Sequence, residues 1–187
     1  VGYITSQSEL MNTLNESIET SLLKLPSVYE KNTLTPLQPS MKPISNMKWD
    51  QRHLEHARLV ASYSKDPSTK VGAVLVGEHH TIISVGYNGF PIGFPDRDEY
   101  YANRELKLRY ICHAERNCLD LARCECRNSC LYCTLPPCSE CAKSIVQKQI
   151  RRVVSAAPTQ SQMERWGTSM DTAAFILKEC KVELVFI

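Results

Sequence analysis

Residues 113–155 read HAERNCLDLARCECRNSCLYCTLPPCSECAKSIVQKQIRRVVS. Ala114, Cys118, Leu119 and Ala122 recur at helical spacing, which predicts a helix beginning near His113. The run CLYCTL at 130–135 predicts a short strand. A second helix starts at Pro137–Cys138, with Cys141, Ala142, Ile145 and Val146 facing inward. RRVVSA at 151–156 predicts the next strand. Strands separated by helices imply parallel pairing in this half of the chain, with helices covering the sheet on both faces.

Upstream, KVGAVLVG at 70–77 and TIISVGY at 81–87 read as two strands joined by the short turn Gly77-Glu78-His79-His80. A helix precedes them, with Trp49, His53, Leu54, Ala57, Val60 and Ala61 on one face. A long polar loop runs from Asn88 to about Arg109. Downstream, Met163 to Cys180 predicts a helix and VELVFI at 182–187 a last strand. The expected order is α-β-β-α-β-α-β-α-β. That is an α/β fold of three α-β-α layers around a five-stranded mixed sheet.

Residues 1–46 have a different texture. Leu10, Leu14, Ile18 and Leu22 recur every fourth position and suggest one amphipathic helix, and Pro26, Pro36, Pro39 and Pro43 suggest an extended linker after it. The expected organisation is therefore an appendage over 1–46 and a catalytic domain over 47–187.

The 187 residues are 43% hydrophobic and 22% charged, the balance of a globular domain with its own core. The formal net charge is +2, because 22 Lys and Arg nearly balance 20 Asp and Glu. That is not the charge of a dedicated nucleic-acid binder, and no nucleic-acid partner is expected. Nine cysteines, an odd number, read as reduced thiols and metal ligands in a cytosol, not as a disulfide framework. The longest apolar stretch, Val71 to Val76, is too short to span a bilayer, and the first residues lack a signal-peptide pattern.

The chemistry lies in HAE at 113–115 and PPCSEC at 136–141. Zinc bound for catalysis takes three protein ligands and keeps an open position for water, whose pKa it lowers to about 7. His113 offers a nitrogen, and Cys138 and Cys141 offer two thiolates from a C-x-x-C at a helix start. Free N–H groups and the helix dipole there favour the anionic sulfurs. Glu115 stands two residues from His113, so it does not share that residue's face and can reach the water instead of the metal. A carboxylate so placed can move protons. The His-x-Glu and Pro-Cys-x-x-Cys pair is the general signature of zinc deaminases. A structural zinc clip and an isolated redox C-x-x-C are the competing readings of the same residues. So is a zinc-stabilised binding module, against which the intact Glu115 speaks.

From Trp49 onward the chain resembles the deoxycytidylate (dCMP) deaminase family, in its bacterial and phage form. SKDPSTKVGAVLV at 64–76 resembles the family's first loop and strand, and GYNGFPIG at 86–93 its substrate-side loop. YICHAERN at 110–117 and LPPCSECAK at 135–143 resemble its zinc motifs, and ERWGTSMDTAAFIL at 164–177 its late helix. The resemblance implies a cytidine-deaminase-like fold and zinc-dependent hydrolysis of dCMP to dUMP, with one catalytic zinc per chain. It implies Asn88 on the substrate sugar, Ser64 and Lys65 near the phosphate, Tyr110 against the base or sugar, and Ala114 beside the substrate. It also implies a regulatory deoxynucleoside triphosphate, carrying Mg2+, at Gly89, Phe90 and Gly93, and a homo-oligomer, a hexamer by resemblance. Deamination of dCTP, of free cytidine or of adenosine in a transfer RNA is the alternative.

Two departures stand out. Cys118 occupies a position where the family usually has a small residue, and the late loop AAPTQSQ at 156–162 lacks the Tyr-His-Asp stretch of many animal members. Cys124, Cys126, Cys130 and Cys133 have a spacing that a second metal could use. However, Cys130 and Cys133 bracket a strand, and side chains three apart on a strand point to opposite faces. Ordinary reduced thiols are the expected reading. His53 and His56, three apart on a helix, could form a ligand pair, but a surface or core-edge role is expected.

Overall fold

A computed structural model describes residues 44–187. The amphipathic segment through Leu10 to Leu22 and the prolines at 26, 36, 39 and 43 lie outside the described residues. The first helix, α1, spans Ile44–Ala61 and so begins three residues before the domain boundary read at 47. It is followed by β1 (Gly72–Val76), a 3-10 turn (Glu78–His80) and β2 (Ile82–Tyr87). Next come α2 (Asp98–Ala102), α3 (Arg104–Tyr110), α4 (Ala114–Leu121), β3 (Cys130–Cys133) and α5 (Ser139–Gln147). The chain closes with β4 (Arg152–Ser155), α6 (Gln160–Glu179) and β5 (Glu183–Phe186).

The five strands lie in the order β2-β1-β3-β4-β5. β1 pairs antiparallel with β2 and β3, while β3–β4 and β4–β5 are parallel. This is the mixed sheet expected from the sequence. The alternation of its central strands splits the core into two layers. Ala73, Leu75, Leu131, Cys133 and Val153 pack with α4, α5 and α6 on one face. Val74, Val76, Cys130, Tyr132 and Val154 pack with α1 on the other. Cys130 and Cys133 thus lie on opposite faces, and the four cysteines from 124 to 133 do not form a ligand group.

Two glycines set how closely the helices approach. A Cβ on Gly72 would stand 2.1 Å from the Ala57 carbonyl oxygen of α1. A Cβ on Gly86 would stand 2.3 Å from the Cys118 backbone nitrogen of α4. Both distances are far inside van der Waals contact, so only glycine lets α1 and α4 lie against the sheet from its two sides. On the α1 side, Arg152 donates to both Asp50 oxygens at 2.7 and 2.9 Å, and the Tyr132 hydroxyl donates to Asp50 at 2.8 Å. These bonds tie α1 to β3 and β4.

The segment read as one polar loop from Asn88 to Arg109 contains α2 and α3. Neither helix is long enough to show a period in sequence. Asn103 separates them, and its Oδ1 accepts from the Leu106 N–H at 3.1 Å as the cap of α3. Phe90 packs on Phe94 and Tyr101, at ring-centre distances of 5.2 and 4.5 Å, and holds the loop onto α2. α6 starts at Gln160 and not at Met163, because Thr159 and Gln162 form a reciprocal capping box.

His53 is buried on α1 among Trp49, His56, His80 and Tyr132, and neither ring nitrogen has a hydrogen-bond partner. Burial lowers its pKa, with the neighbouring His80 and His56 adding to the effect and Asp50 opposing it. A histidine whose folded pKa is depressed is kept neutral by the fold. Its contribution to stability is therefore present above the unfolded value near 6.5 and is lost as pH falls below that toward the folded value. His53→Phe should flatten the loss of melting temperature between about pH 7 and pH 5.5 relative to the parent. Parallel melting curves for the two proteins across that range would overturn this.

Candidate active site

His113 is the N-cap of α4 and Cys138 the N-cap of α5. Both carry extended backbone at a helix start, so two helix N-termini converge on one point. The His113 Nδ1 lies 3.4 Å from the Cys138 Sγ and 3.4 Å from the Cys141 Sγ. All three ligand atoms lie within 4.8 Å of one another. A tetrahedral zinc, with bonds of roughly 2.0–2.1 Å to nitrogen and 2.3 Å to sulfur, sets N···S at about 3.5 Å. The donor set and its spacing therefore fit zinc, with three protein ligands and not four. It is the one such group of three among the described residues, and none accompanies the 89–93 loop where Mg2+ would be needed.

The three groups are coupled through their hydrogen bonds. The Cys141 thiol that bonds Cys138 draws the Cys138 pKa down to about 3, with His113 assisting. The Cys141 thiol is held up in turn by the same bond. The bond to Cys138 raises His113 to about 8. Glu115, in the first turn of α4, is 4% exposed, and burial pushes its carboxyl up to about 7. A carboxyl near 7 can both take and give a proton at neutral pH.

These groups open onto a cavity of about 400 Å³, within the size range of small-molecule sites. His113, Ala114, Glu115, Cys138 and Asn88 are among the residues that line it. Ser64, Lys65, Tyr110, Gly89, Phe90 and Gly93 do not line it. Ser64 is buried and donates to the Asn88 carbonyl at 2.7 Å. The Lys65 side chain is 68% exposed and paired with Asp96. The Tyr110 ring packs on Phe94 at 5.2 Å. Gly89 exchanges two backbone hydrogen bonds with Cys112, at 3.1 and 2.8 Å, which ties its loop to the residue before His113.

Asn88 is already engaged by the protein. Its Oδ1 accepts from the Val71 N–H at 2.8 Å, and its Nδ2 donates to the Thr69 carbonyl at 2.9 Å and to Asp66 at 3.4 Å. It holds the 64–71 loop on the end of β2. Asp66 is the hub of that loop. One of its oxygens accepts from the Ser68 N–H and hydroxyl, the Thr69 N–H and the Lys107 ammonium. Burial pushes the Asp66 carboxyl up, but the bonds from Ser68, Lys107 and Thr69 outweigh it and hold the pKa below the usual carboxylate range.

Sequence reasoning missed the far walls. Arg104, Lys107 and Leu108 line the cavity from α3, and Arg165, Trp166 and Ser169 from α6. The spacing 104, 107, 108 and 111 is one helical face, but α3 is too short for its period to register. ERWGTSM is visible as a motif in the sequence without any indication of which residues face inward. Ser169 also accepts the Ser139 N–H at 3.1 Å, which joins α6 to the residue next to Cys138.

The cytidine and deoxycytidylate deaminase zinc-binding region matches residues 47–157. An uncharacterized deaminase from the luxG 3′ region of Aliivibrio fischeri is 36% identical over 140 residues, which cover 75% of this chain and 94% of that protein. A probable deoxycytidylate deaminase of Caenorhabditis elegans is 41% identical over 113 residues, 58% of this chain and 57% of that protein. The chain thus spans little more than half the length of that relative. Among solved structures, the dCMP deaminase of cyanophage S-TIM5 in its apo form covers 79% of this chain and 100% of its own, at a TM-score of 0.59 and 26% identity.

Metal analysis should find one zinc per chain. Cys138→Ser should lose most of it, because a neutral hydroxyl replaces a thiolate, whereas Glu115→Gln should keep it. Equal zinc loss in Glu115→Gln would make the carboxylate a ligand and reject the three-ligand site.

Proposed function

The chain belongs to the cytidine and deoxycytidylate deaminase family, and we propose that it hydrolyses dCMP to dUMP and ammonia with one zinc held by His113, Cys138 and Cys141. The observation that carries this reading is the buried Glu115, which lines a cavity of about 400 Å³ together with His113 and Cys138. When bound, zinc supplies a Lewis acid that makes water a competent nucleophile at neutral pH. The remaining work falls to the protein.

Glu115 takes a proton from the attacking water and delivers it to N3 of the cytosine ring. Its carboxyl then passes the second proton of the water to the exocyclic nitrogen. The water oxygen stays on C4, the C4–N4 bond breaks, and ammonia leaves. Burial raises the Glu115 carboxyl pKa, which suits this double duty.

The proposal includes a homo-oligomer and control by a deoxynucleoside triphosphate at the 89–93 loop. Two observations support these parts. Leu59, Tyr63, Val85 and Tyr87 are exposed apolar side chains on α1, the residues just after it and β2. Phe90 touches Tyr101, a cavity residue, so a ligand on that loop would act on the cavity wall.

Glu115→Gln should retain zinc and melting temperature but lose dCMP turnover by about 10²–10⁴-fold or more, the range for a lost general acid–base. Activity within about tenfold of the parent would show that another group carries the proton. Ammonia release from cytidine, dCMP, dCTP and a transfer RNA should be largest for dCMP. In light scattering at micromolar concentration the protein should exceed the mass of one chain, and a monomer would remove the oligomer from the proposal.

A further inference from the structure

We infer that Lys107 is a positioning residue for the reaction proposed above. Its buried pairing with Asp66 closes a circuit of hydrogen bonds along the cavity wall, and that circuit holds Asn88 and the residue before His113 in place. This rests on the dCMP reading and adds to it a residue that works through its neighbours.

α3 buries a charge where an amphipathic helix buries its apolar stripe. Lys107 is the one buried residue of the helix, whereas Leu106 is half-buried and Leu108 is 55% exposed. Seven residues are too few for a helix to persist by itself, so its place depends on its anchors. The Lys107 ammonium donates to Asp66 Oδ1 at 3.0 Å and to the Ser68 hydroxyl at 2.6 Å. The two charged side chains are 9% and 4% exposed. Apolar side chains of the same volume would serve stability as well, because both charges had to be desolvated. What the pair supplies instead is a fixed direction between α3 and the 64–71 loop.

The bonds run in a closed circuit. From Lys107 they pass to Asp66 and then to Asn88, whose Nδ2 donates to Asp66 Oδ2 at 3.4 Å and to the Thr69 carbonyl at 2.9 Å. The next residue, Gly89, exchanges backbone bonds with Cys112 at 3.1 and 2.8 Å. One residue before Cys112, the Ile111 N–H donates to the Lys107 carbonyl at 2.9 Å and completes the circuit. The Gly89–Cys112 pair thus pins the base of the excursion through 90–111, and Lys107 pins its interior. Asp66, Asn88, Lys107 and Ile111 all line the cavity. Cys112 leads directly into His113, the N-cap of α4, and Glu115 follows in the first turn. Opening the circuit at Lys107 therefore frees both the wall and the backbone that enters α4. A misplacement of about 1 Å in such a site costs on the order of 10²-fold in rate.

The test uses the zinc-loaded full chain. Lys107→Met keeps the aliphatic stem but strands the Asp66 carboxylate, so it should melt well below the parent. Lys107→Met combined with Asp66→Asn removes both charges and keeps an acceptor oxygen for the Ser68 and Thr69 N–H groups. This double variant should melt within about 4 °C of the parent. Its kcat for dCMP should nevertheless fall at least about tenfold. In hydrogen exchange its Gly89 and Cys112 amides should lose protection, while those of Leu131 and Val153 in the sheet exchange as in the parent. A double variant that regains the parental kcat together with its melting temperature overturns the inference, because the pair then serves stability alone. One that melts far below the parent overturns it for the same reason. A KM that rises while kcat holds makes Lys107 a direct substrate contact and also overturns it. Parental protection at Gly89 and Cys112 overturns it in any case. A parent without dCMP turnover overturns the dCMP reading itself, and the exchange at Gly89 and Cys112 then decides alone, lost protection supporting the circuit and parental protection rejecting it.

Discussion

The meeting of two helix N-termini at 3.4 Å, through His113 on one side and Cys138 and Cys141 on the other, is the constraint on which the site depends. Thiolates are costly to bury, and they are tolerated here because α5 points its free N–H groups and positive dipole end at them. The Cys141 N–H reaches the Cys138 sulfur at 3.5 Å. That arrangement requires α4 and α5 to sit at one depth over the sheet. Gly86 permits it for α4 by removing the one Cβ that would push the helix outward. For α5, the Ser139–Ser169 bond couples the helix start to α6 and hence to the cavity wall.

The opposite wall is held by polar bonds instead of apolar packing. Asp66, Ser68, Thr69, Asn88 and Lys107 form a network at the mouth of β1 and β2 in which the charged pair is buried and satisfied. Such a network contributes less to net stability than a hydrophobic cluster of equal volume, because both charges were desolvated to form it. Its value is directional. Each bond fixes an angle, so the loop keeps a set shape on the cavity wall. Asn88 takes part here as a positioning residue, with both ends of its amide engaged by the chain.

The cavity also explains why three cations on its wall do not act alike. Lys107 is enclosed with its counter-charge, whereas Arg104 and Arg165 are exposed and have no ion-pair partner among the described residues. A guanidinium near water keeps its charge at little cost. Residue type alone does not separate these roles. Burial and pairing do.

The sequence by itself determined the elements and the chemistry that depend on short range. His113, Glu115, Cys138 and Cys141 are legible because a helix start fixes the relation of residues two and three apart. The strands are legible because their apolar runs are bounded by turns, and the opposite-face argument for Cys130 and Cys133 needs only the pleat. Only the tertiary structure decided what depends on distant partners. α2 and α3 exist because Phe90 and Phe94 cover them and Asn103 caps one of them, none of which a five- or seven-residue period can signal. Lys107 became buried by meeting Asp66, 41 positions earlier. Lys65 pairs with Asp96, 31 positions later. Charges on long flexible side chains are placed by the nearest compensating group in space, and that group is chosen by the packing of the sheet and its helices.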